Sequence, residues 1–303
     1  MTQGAARQIK KIMTRGHKGI KKNTHWEKFF NDFLIFDSFL CRVSCVLCLF
    51  LCPVSFSSCT YSEYNLATGQ EETLIYDTEK EERVGYAVAT QVEKDYKLVD
   101  DPALNARLND ILSRIAEVCD RKELVYTIRT IDEKELNAVS LPGGYIYMFK
   151  GLTDALKTDD ELAAVVAHEV GHITARHSMK RVQASTGMTI LQIVTIVGNQ
   201  PEAAMGVSAM YATLFTAYSR QDEFQADKLS VRYLQRAGYD PNAIVKVLTL
   251  LEEESRKKGP GRLAYFRTHP YIQERIGVVK REITGQLDFK SYLNLTGQEK
   301  DLY

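Results

Sequence analysis

The chain has 303 residues with no formal net charge, 45% of them hydrophobic and 26% charged. That is room for one good-sized hydrophobic core and is ordinary for a globular fold. The zero is uneven: residues 1–59 carry 9 Lys+Arg against 3 Asp+Glu, leaving 30 against 36 in the remainder, and an acidic body argues against nucleic acid as a partner.

Five of the six cysteines, Cys41, Cys45, Cys48, Cys52 and Cys59, lie before residue 60, so Cys119 alone remains in the body and no disulfide framework is available there. Cys45 and Cys48 have metal-ligand spacing but sit inside the continuous apolar run from Val43 to Phe56. That run follows Arg42 and ends in the small residues SFSSC. It is shorter than the ~20 residues a bilayer-spanning helix needs and fits an export signal. Small residues directly before a cysteine make Cys59 the expected lipidated first residue of a mature lipoprotein. Phe56 stands where leucine is usual, and the basic region ahead is long, which suggests a later start such as Met13. The expectation is an export segment over 1–59 and a periplasmic, outer-membrane-anchored lipoprotein.

Residues 60–80 are polar with little period and read as a tether. Apolar positions at helical spacing then run through Val84, Ala87, Val92 and Tyr96, and again through Leu104, Leu108, Ile111, Leu112 and Ile115, giving two helices broken near Asp101-Pro102. The period changes to two at Val125–Thr130, followed by a short run from Leu136 to Leu141, a Pro142-Gly143-Gly144 turn and a strand at Tyr145–Phe149. These predict a small antiparallel sheet. Thr158 with Asp159, Asp160 and Glu161 supplies an N-cap and acidic first turn for the next helix. The apolar stretch 187–198 predicts a buried helix, Asn199-Gln200-Pro201 a turn, and residues 202–236 one long helix ended by Gly238. Asp240-Pro241 starts a helix running to the breaker at 257–261, Thr268-His269-Pro270 opens a last helix to Thr284, and 286–303 is a tail. The whole is an α+β domain over 81–285, mostly helical.

The helix after Thr158 carries HEVGHITARH, residues 168–177. His168 and His172 are four apart and share a face. Zinc is held by neutral imidazole nitrogens near 2 Å in a tetrahedral array. Glu169, about 100° further round, misses the metal and reaches its water, as a general base would. The surrounding residues, Leu162 to Ala167 and Val170, are apolar, so two histidines and a glutamate there are costly to bury unless something binds them. Gly171 permits close approach of a neighbour.

The third ligand has several candidates. Continuing the motif as HExxHxxGxxH needs glycine at 175 and histidine at 178, where the chain has Ala175 and Ser178. His177 is one place off, and a helix continuing through Ala175 carries it to another face, exposed or behind a ligand. Glu202 follows Pro201 at a helix start, where the dipole alone favours an acid. Asp222, Glu223 and Asp227 come next. Glu223 and Asp227 share a face; if Glu223 binds zinc, Asp227 can accept a hydrogen bond from a ligating histidine's other nitrogen. Asp222 points elsewhere, as a surface charge, and the alternative for the whole segment is an exposed acidic helix.

Together these residues resemble the gluzincin peptidases typified by the CAAX prenyl protease and the heat-shock protease HtpX. The matching features are His168-Glu169-Val170-Gly171-His172, Glu223-Phe224-Gln225-Ala226-Asp227, NAVSLPGGYIYMFKGL at 137–152 and Thr268-His269-Pro270, over roughly residues 80–285. The resemblance implies a zincin-type fold with one Zn2+ on His168, His172 and Glu223, and Glu169 as the catalytic base. With no membrane span in its body, the chain looks closer to the soluble, exported branch that includes BepA and LoiP, in the short form without a tetratricopeptide domain. In such peptidases an edge strand near the zinc takes substrate as an added strand, a role that falls here on Asn137, Ala138, Val139 and Ser140. The histidine of the His-Pro pair, here His269, can occupy the open zinc position and keep the enzyme latent, or steady the oxyanion; a plain helix cap is the simpler alternative. The expected activity is zinc-dependent endoproteolysis of unfolded or misassembled envelope proteins. The competing expectation is a non-catalytic, chaperone-like zinc protein with His269 closing the site.

Overall fold

The computed structural model describes residues 61–186, 211, 216–258 and 264–285, apart from 66, 68, 75 and 76. Cys59, Glu202, the expected apolar helix at 187–198 and the tail lie outside the described residues.

The segment expected to be a tether forms a hairpin. Strands β1 (Tyr61–Asn65) and β2 (Gln70–Leu74) pair antiparallel. The buried Asn65 holds the turn by accepting from Ala67 N–H at 2.9 Å, and its side-chain amide donates to the Thr174 carbonyl at 3.3 Å. Pairing of this kind uses backbone groups and needs no apolar period, which is why the polar sequence concealed it.

Two helices follow as expected. Helix α1 (Thr78–Asp95) starts at Asp77, whose carboxylate accepts from Lys80 N–H, and buries Val84, Val88, Ala89 and Val92. Helix α2 (Pro102–Ala116) starts at Asp101 with proline in its first turn and buries Leu108, Ile111, Leu112 and Ile115. The buried Glu81 on α1 receives Arg121 Nη1 on both oxygens, at 2.9 and 3.0 Å, which fastens α1 to the loop after α2.

The main sheet is mixed, a correction to the antiparallel expectation. Strands β3 (Thr127–Ile131), β4 (Ala138–Ser140) and β5 (Tyr145–Phe149) lie in the order β3-β5-β4, with β5 parallel to β3 and antiparallel to β4. β5 is the strand with most to bury, and a central strand covered on both faces suits it. The connecting 3-10 turn Pro142–Gly144 places Gly143 at φ 73° and Gly144 at φ 98°, a backbone path that glycine follows without strain. Side chains alternate across the sheet. Ile128, Ala138, Ile146 and Met148 join the larger core, while Val139, Tyr147 and Phe149 pack against α1.

The remaining elements are helical: α3 (Lys150–Ala155), α4 (Asp159–Thr174), α5 (His177–Thr186), α6 (Arg220–Ala237), α7 (Asn242–Lys258), α8 (Ala264–Thr268) and α9 (Ile272–Thr284). Helix α4 opens with a reciprocal capping box between Thr158 and Glu161, and every residue from Leu162 to Thr174 is buried. It is the central rod, packed against the sheet, α2, α6 and α7. None of the helices among the described residues is long and apolar enough to cross a membrane.

Two helix boundaries differ from expectation. Residues 216–219 are not helical, and α6 starts at Arg220 because Ser219 and Asp222 form a second capping box. The Thr268-His269-Pro270 segment joins two helices instead of opening one. His269 N–H bonds the Tyr265 carbonyl and closes α8, and α9 begins only after Tyr271, held at φ 66°. A residue before proline is pushed away from helical geometry, which breaks the chain at His269.

Candidate metal and catalytic centre

Helices α4 and α6 are in close backbone contact at Gly171. A Cβ built there would stand 2.9 Å from the Ala226 carbonyl oxygen and 3.2 Å from its Cα. This contact brings Glu223, one turn before Ala226, to the histidines of α4. The Nε2 atoms of His168 and His172 are 3.1 Å apart. Glu223 Oε2 lies 3.5 Å from His168 Nε2, and its Oε1 lies 3.6 Å from His172 Nε2. His269 enters from the α8–α9 connection with Nδ1 at 3.0 Å from Glu223 Oε1 and 3.4 Å from His168 Nε2. One donor atom from each of the four lies within 4.8 Å of the others, and none of the four residues exceeds 3% exposure.

These spacings suit a small tetrahedral cation. Bonds of about 2.0–2.1 Å set neighbouring donors roughly 3.3–3.4 Å apart, close to what this cluster holds. The donor set of imidazoles and one carboxylate is also zinc's. Glu169 supplies the remaining observation: it is fully buried, neither of its oxygens meets a hydrogen-bond partner among the described residues, and its Oε1 is 3.6 Å from the equally unpartnered His269 Nε2. An orphaned buried carboxylate next to converging donors fits a site built around a cation and a water.

Each inward-facing group is held from behind. His168 Nδ1 stands 3.0 Å from Asp227 Oδ1. Asp227 is clamped by Arg275 through Nε at 2.9 Å and Nη2 at 2.8 Å, and Arg275 Nη1 is 2.8 Å from Glu223 Oε2. Burial opposes ionisation of both carboxylates, but Arg275 prevails and holds Glu223 and Asp227 below the usual carboxylate range. Burial and Arg275 likewise disfavour protonation of His168, but Asp227 and Glu223 outweigh them and raise it to about 9. Burial, reinforced by the imidazoles of His168, His177 and His269, pushes His172 well below the usual histidine range. Tyr218 stacks on His172 with ring centroids 3.9 Å apart, and Tyr265 stacks on His269 at 4.7 Å.

The sequence-predicted His168, Glu169, His172, Glu223, Asp227 and His269 are therefore gathered in one place. Asn137, Ala138, Val139 and Ser140 lie beside it, but all four are buried. The Thr268 hydroxyl donates to Asn137 Oδ1 at 3.2 Å, and the Ser178 hydroxyl donates to the Ser140 carbonyl at 3.2 Å. The edge of β4 is thus tied to α5 and to the His269 segment.

His177 takes the second of the two places expected for it, behind a candidate ligand, but reaches it by a different backbone path. Helix α4 does not continue past Ala175: Arg176 takes φ 58°, doing what the absent glycine would have done, and α5 begins at His177. His177 is 1% exposed, with Nδ1 at 2.9 Å from His172 Nδ1 and Nε2 at 2.8 Å from Gln225 Oε1. Asp222 is more than a surface charge, since it completes the Ser219 box and has Oδ1 3.5 Å from His177 Nε2. Sequence reasoning missed Arg275, Tyr218 and Tyr265. Arg275 had a signal: two acids four apart on a buried face require a cation.

The model of peptidase family M48 matches residues 102–283. The mitochondrial metalloendopeptidase OMA1 of Arabidopsis thaliana is 31% identical over 183 residues, 60% of this chain and 36% of that protein. OMA1 of Schizosaccharomyces pombe is 28% identical over 166 residues, 55% of this chain and 49% of the relative. The beta-barrel assembly-enhancing protease of Escherichia coli K12 is 27% identical over 210 residues, 65% of this chain and 42% of the relative. The chain thus spans less than half the length of each of these relatives.

Proposed function

The chain belongs to peptidase family M48, and on that premise we propose that it is a zinc metalloendopeptidase whose described conformation is latent. The observation that carries the reading is the converging set His168, His172 and Glu223 with the unpartnered Glu169 beside it. Those three residues would hold one zinc, which when bound supplies Lewis-acid polarisation of a scissile carbonyl and acidifies a water. Glu169 takes the proton of that water on its carboxylate and delivers it to the leaving amine. Asp227 keeps His168 in the orientation and tautomer that present Nε2, and Arg275 keeps Asp227 in place. Apolar residues of α4 keep bulk water from Glu169.

His269 supports latency. Its ring lies between Glu223 and Glu169, with Nδ1 3.0 Å from Glu223 Oε1 and Nε2 3.6 Å from Glu169 Oε1, and so stands where water and carbonyl would enter. A catalytic zinc site keeps one position open, whereas four protein donors close it. Activity then requires the α8–α9 connection to withdraw. The same observation favours the second reading, a chaperone-like zinc protein that never opens.

Substrates in this proposal are polypeptides bound in extended form along β4, drawn from unfolded or misassembled envelope proteins. Support comes from the apolar run ending at Cys59, which would anchor an exported lipoprotein at the outer membrane, and from a relative named for beta-barrel assembly. The test compares wild type, Glu169→Gln and His269→Ala for zinc content and casein cleavage. One zinc per chain, with cleavage lost in Glu169→Gln, supports the peptidase. Cleavage appearing or rising in His269→Ala supports latency, and a fall there assigns His269 to the transition state. Zinc without cleavage in any variant favours the chaperone-like reading, and zinc in none refutes the metal site.

A further inference from the structure

His177 is buried among the site residues, yet it is not one of the four converging donors and the proposed chemistry does not use it. We propose that His177 is a positioning residue for the metal ligand His172, acting with Gln225 to fix the ligand's proton and ring plane; this rests on the metal-site reading above.

The argument follows the protons. His172 faces the cluster with Nε2, which lies 3.1 Å from His168 Nε2 and 3.6 Å from Glu223 Oε1. A ring nitrogen that binds a cation offers its lone pair, so neutral His172 carries its proton on Nδ1. That atom is 2.9 Å from His177 Nδ1. Two ring nitrogens in this contact share one proton, so His177 Nδ1 accepts and the His177 proton sits on Nε2. His177 Nε2 is 2.8 Å from Gln225 Oε1, an amide oxygen that only accepts, with Asp222 Oδ1 further off at 3.5 Å on the same side. The chain of donors therefore runs one way, from His172 through His177 to Gln225, with no conflict at any atom.

The backbone is bent to make this contact. Arg176 takes the left-handed φ of 58° directly before His177, a conformation that costs a non-glycine residue and turns the imidazole back under His172. The two ligating histidines are consequently supported by different chemistry. His168 leans on a carboxylate locked by Arg275, and His172 leans on an uncharged imidazole. Helix α6 anchors both supports, since Glu223, Gln225 and Asp227 come from its first two turns.

The experiment measures zinc dissociation constants of the full chain by competition with a chromophoric chelator, together with the visible spectrum of the cobalt(II) form. His177→Asn places an amide oxygen near the site of Nδ1 and keeps the acceptor; His177→Phe keeps a ring and removes it; Gln225→Met removes the end of the chain. Zinc binding is expected to weaken about 10- to 100-fold in His177→Phe, with shifted cobalt bands. His177→Asn should stay close to wild type in both readouts, and Gln225→Met should fall between. Wild-type affinity and spectrum in His177→Phe, or an equal loss in His177→Asn, overturns the proposal. If circular dichroism shows that His177→Phe does not fold, Gln225→Met decides, and unchanged affinity there overturns it. Absence of zinc from wild type refutes the underlying metal site itself, a result distinct from these.

Discussion

Replacing Gly171 with alanine tests whether the close approach of α4 and α6 sets the site. The new methyl carbon would stand 2.9 Å from the Ala226 carbonyl oxygen, 3.2 Å from Ala226 Cα and 3.4 Å from Leu229 Cβ. The first two neighbours are backbone atoms of a packed helix and cannot swing aside, so α6 must retreat by a few tenths of an ångström. Overpacking of this kind costs about 1–3 kcal/mol, while removing glycine from a helix interior returns about 1 kcal/mol. The metal-free protein should therefore lose only about 0–2 kcal/mol. Zinc binding should suffer separately, because Glu223 moves with α6 and donor distances tolerate only about 0.2 Å of error. If the metal-bound form must restore the clash that the free form relieves, the strain of about 1–3 kcal/mol appears as an affinity loss of roughly 5- to 150-fold. Urea denaturation of the metal-free protein and chelator competition give the two quantities. Wild-type zinc affinity combined with a stability gain of about 1 kcal/mol would show that only helix propensity had changed, and would refute the reasoning.

Arg275→Met leaves Glu223 and Asp227 buried without their cation and should cost about 3–5 kcal/mol in the metal-free protein; zinc should raise its melting temperature more than it raises that of wild type, because the added cation replaces part of the lost charge. At Glu81–Arg121, Arg121→Leu alone should destabilise by about 3–5 kcal/mol, and adding Glu81→Leu should recover most of it in urea titrations, because the single change strands a buried carboxylate. Ser219→Ala removes the box that starts α6 and should cost about 1 kcal/mol by the same measurement.

The helical periods of α1 and α2, the caps of α4 and the break at Gly238 are local features, and the structure carries them as the sequence implies. His168, Glu169 and His172 were legible because four-residue spacing on one apolar helix is itself a geometric statement. What was not legible depended on partners remote in the chain. The parallel pairing of β3 with β5 is decided by which strand has most to bury, not by any residue within β3. Arg275 lies 48 positions from Asp227, and nothing in its own neighbourhood announces a clamp. The helix was expected to run on to His177 because Ala175 and Arg176 look helical, whereas the left-handed turn at Arg176 is held by tertiary contacts, including Glu81 Oε2 at 3.6 Å from its Nε.

For the peptidase proposed above, a centre buried this thoroughly must open to substrate. Helices α4 and α6 each begin in a reciprocal capping box and bury long faces, so moving either one disrupts the core. The segment bearing His269 is built differently. Helix α8 has five residues, α9 starts without a side-chain cap, and Tyr271 between them is held at φ 66°. Left-handed geometry at such a residue costs roughly 1–2 kcal/mol, which lowers the work of moving that segment relative to the helices around it. Among the described residues its polar attachments include Thr268 to Asn137 just ahead of the edge strand, the Thr268 carbonyl to Tyr218 N–H, and His269 to Glu223, while Tyr265 and Ile272 on either side are buried in the core. The first of these ends on the side chain of Asn137, the residue directly before β4, whose backbone carbonyl is bonded to Phe149 N–H within the sheet. On the proposed function, a polypeptide added along β4 would run beside Asn137, so a shift of that side chain would loosen the Thr268 contact and with it one attachment of the segment that bears His269.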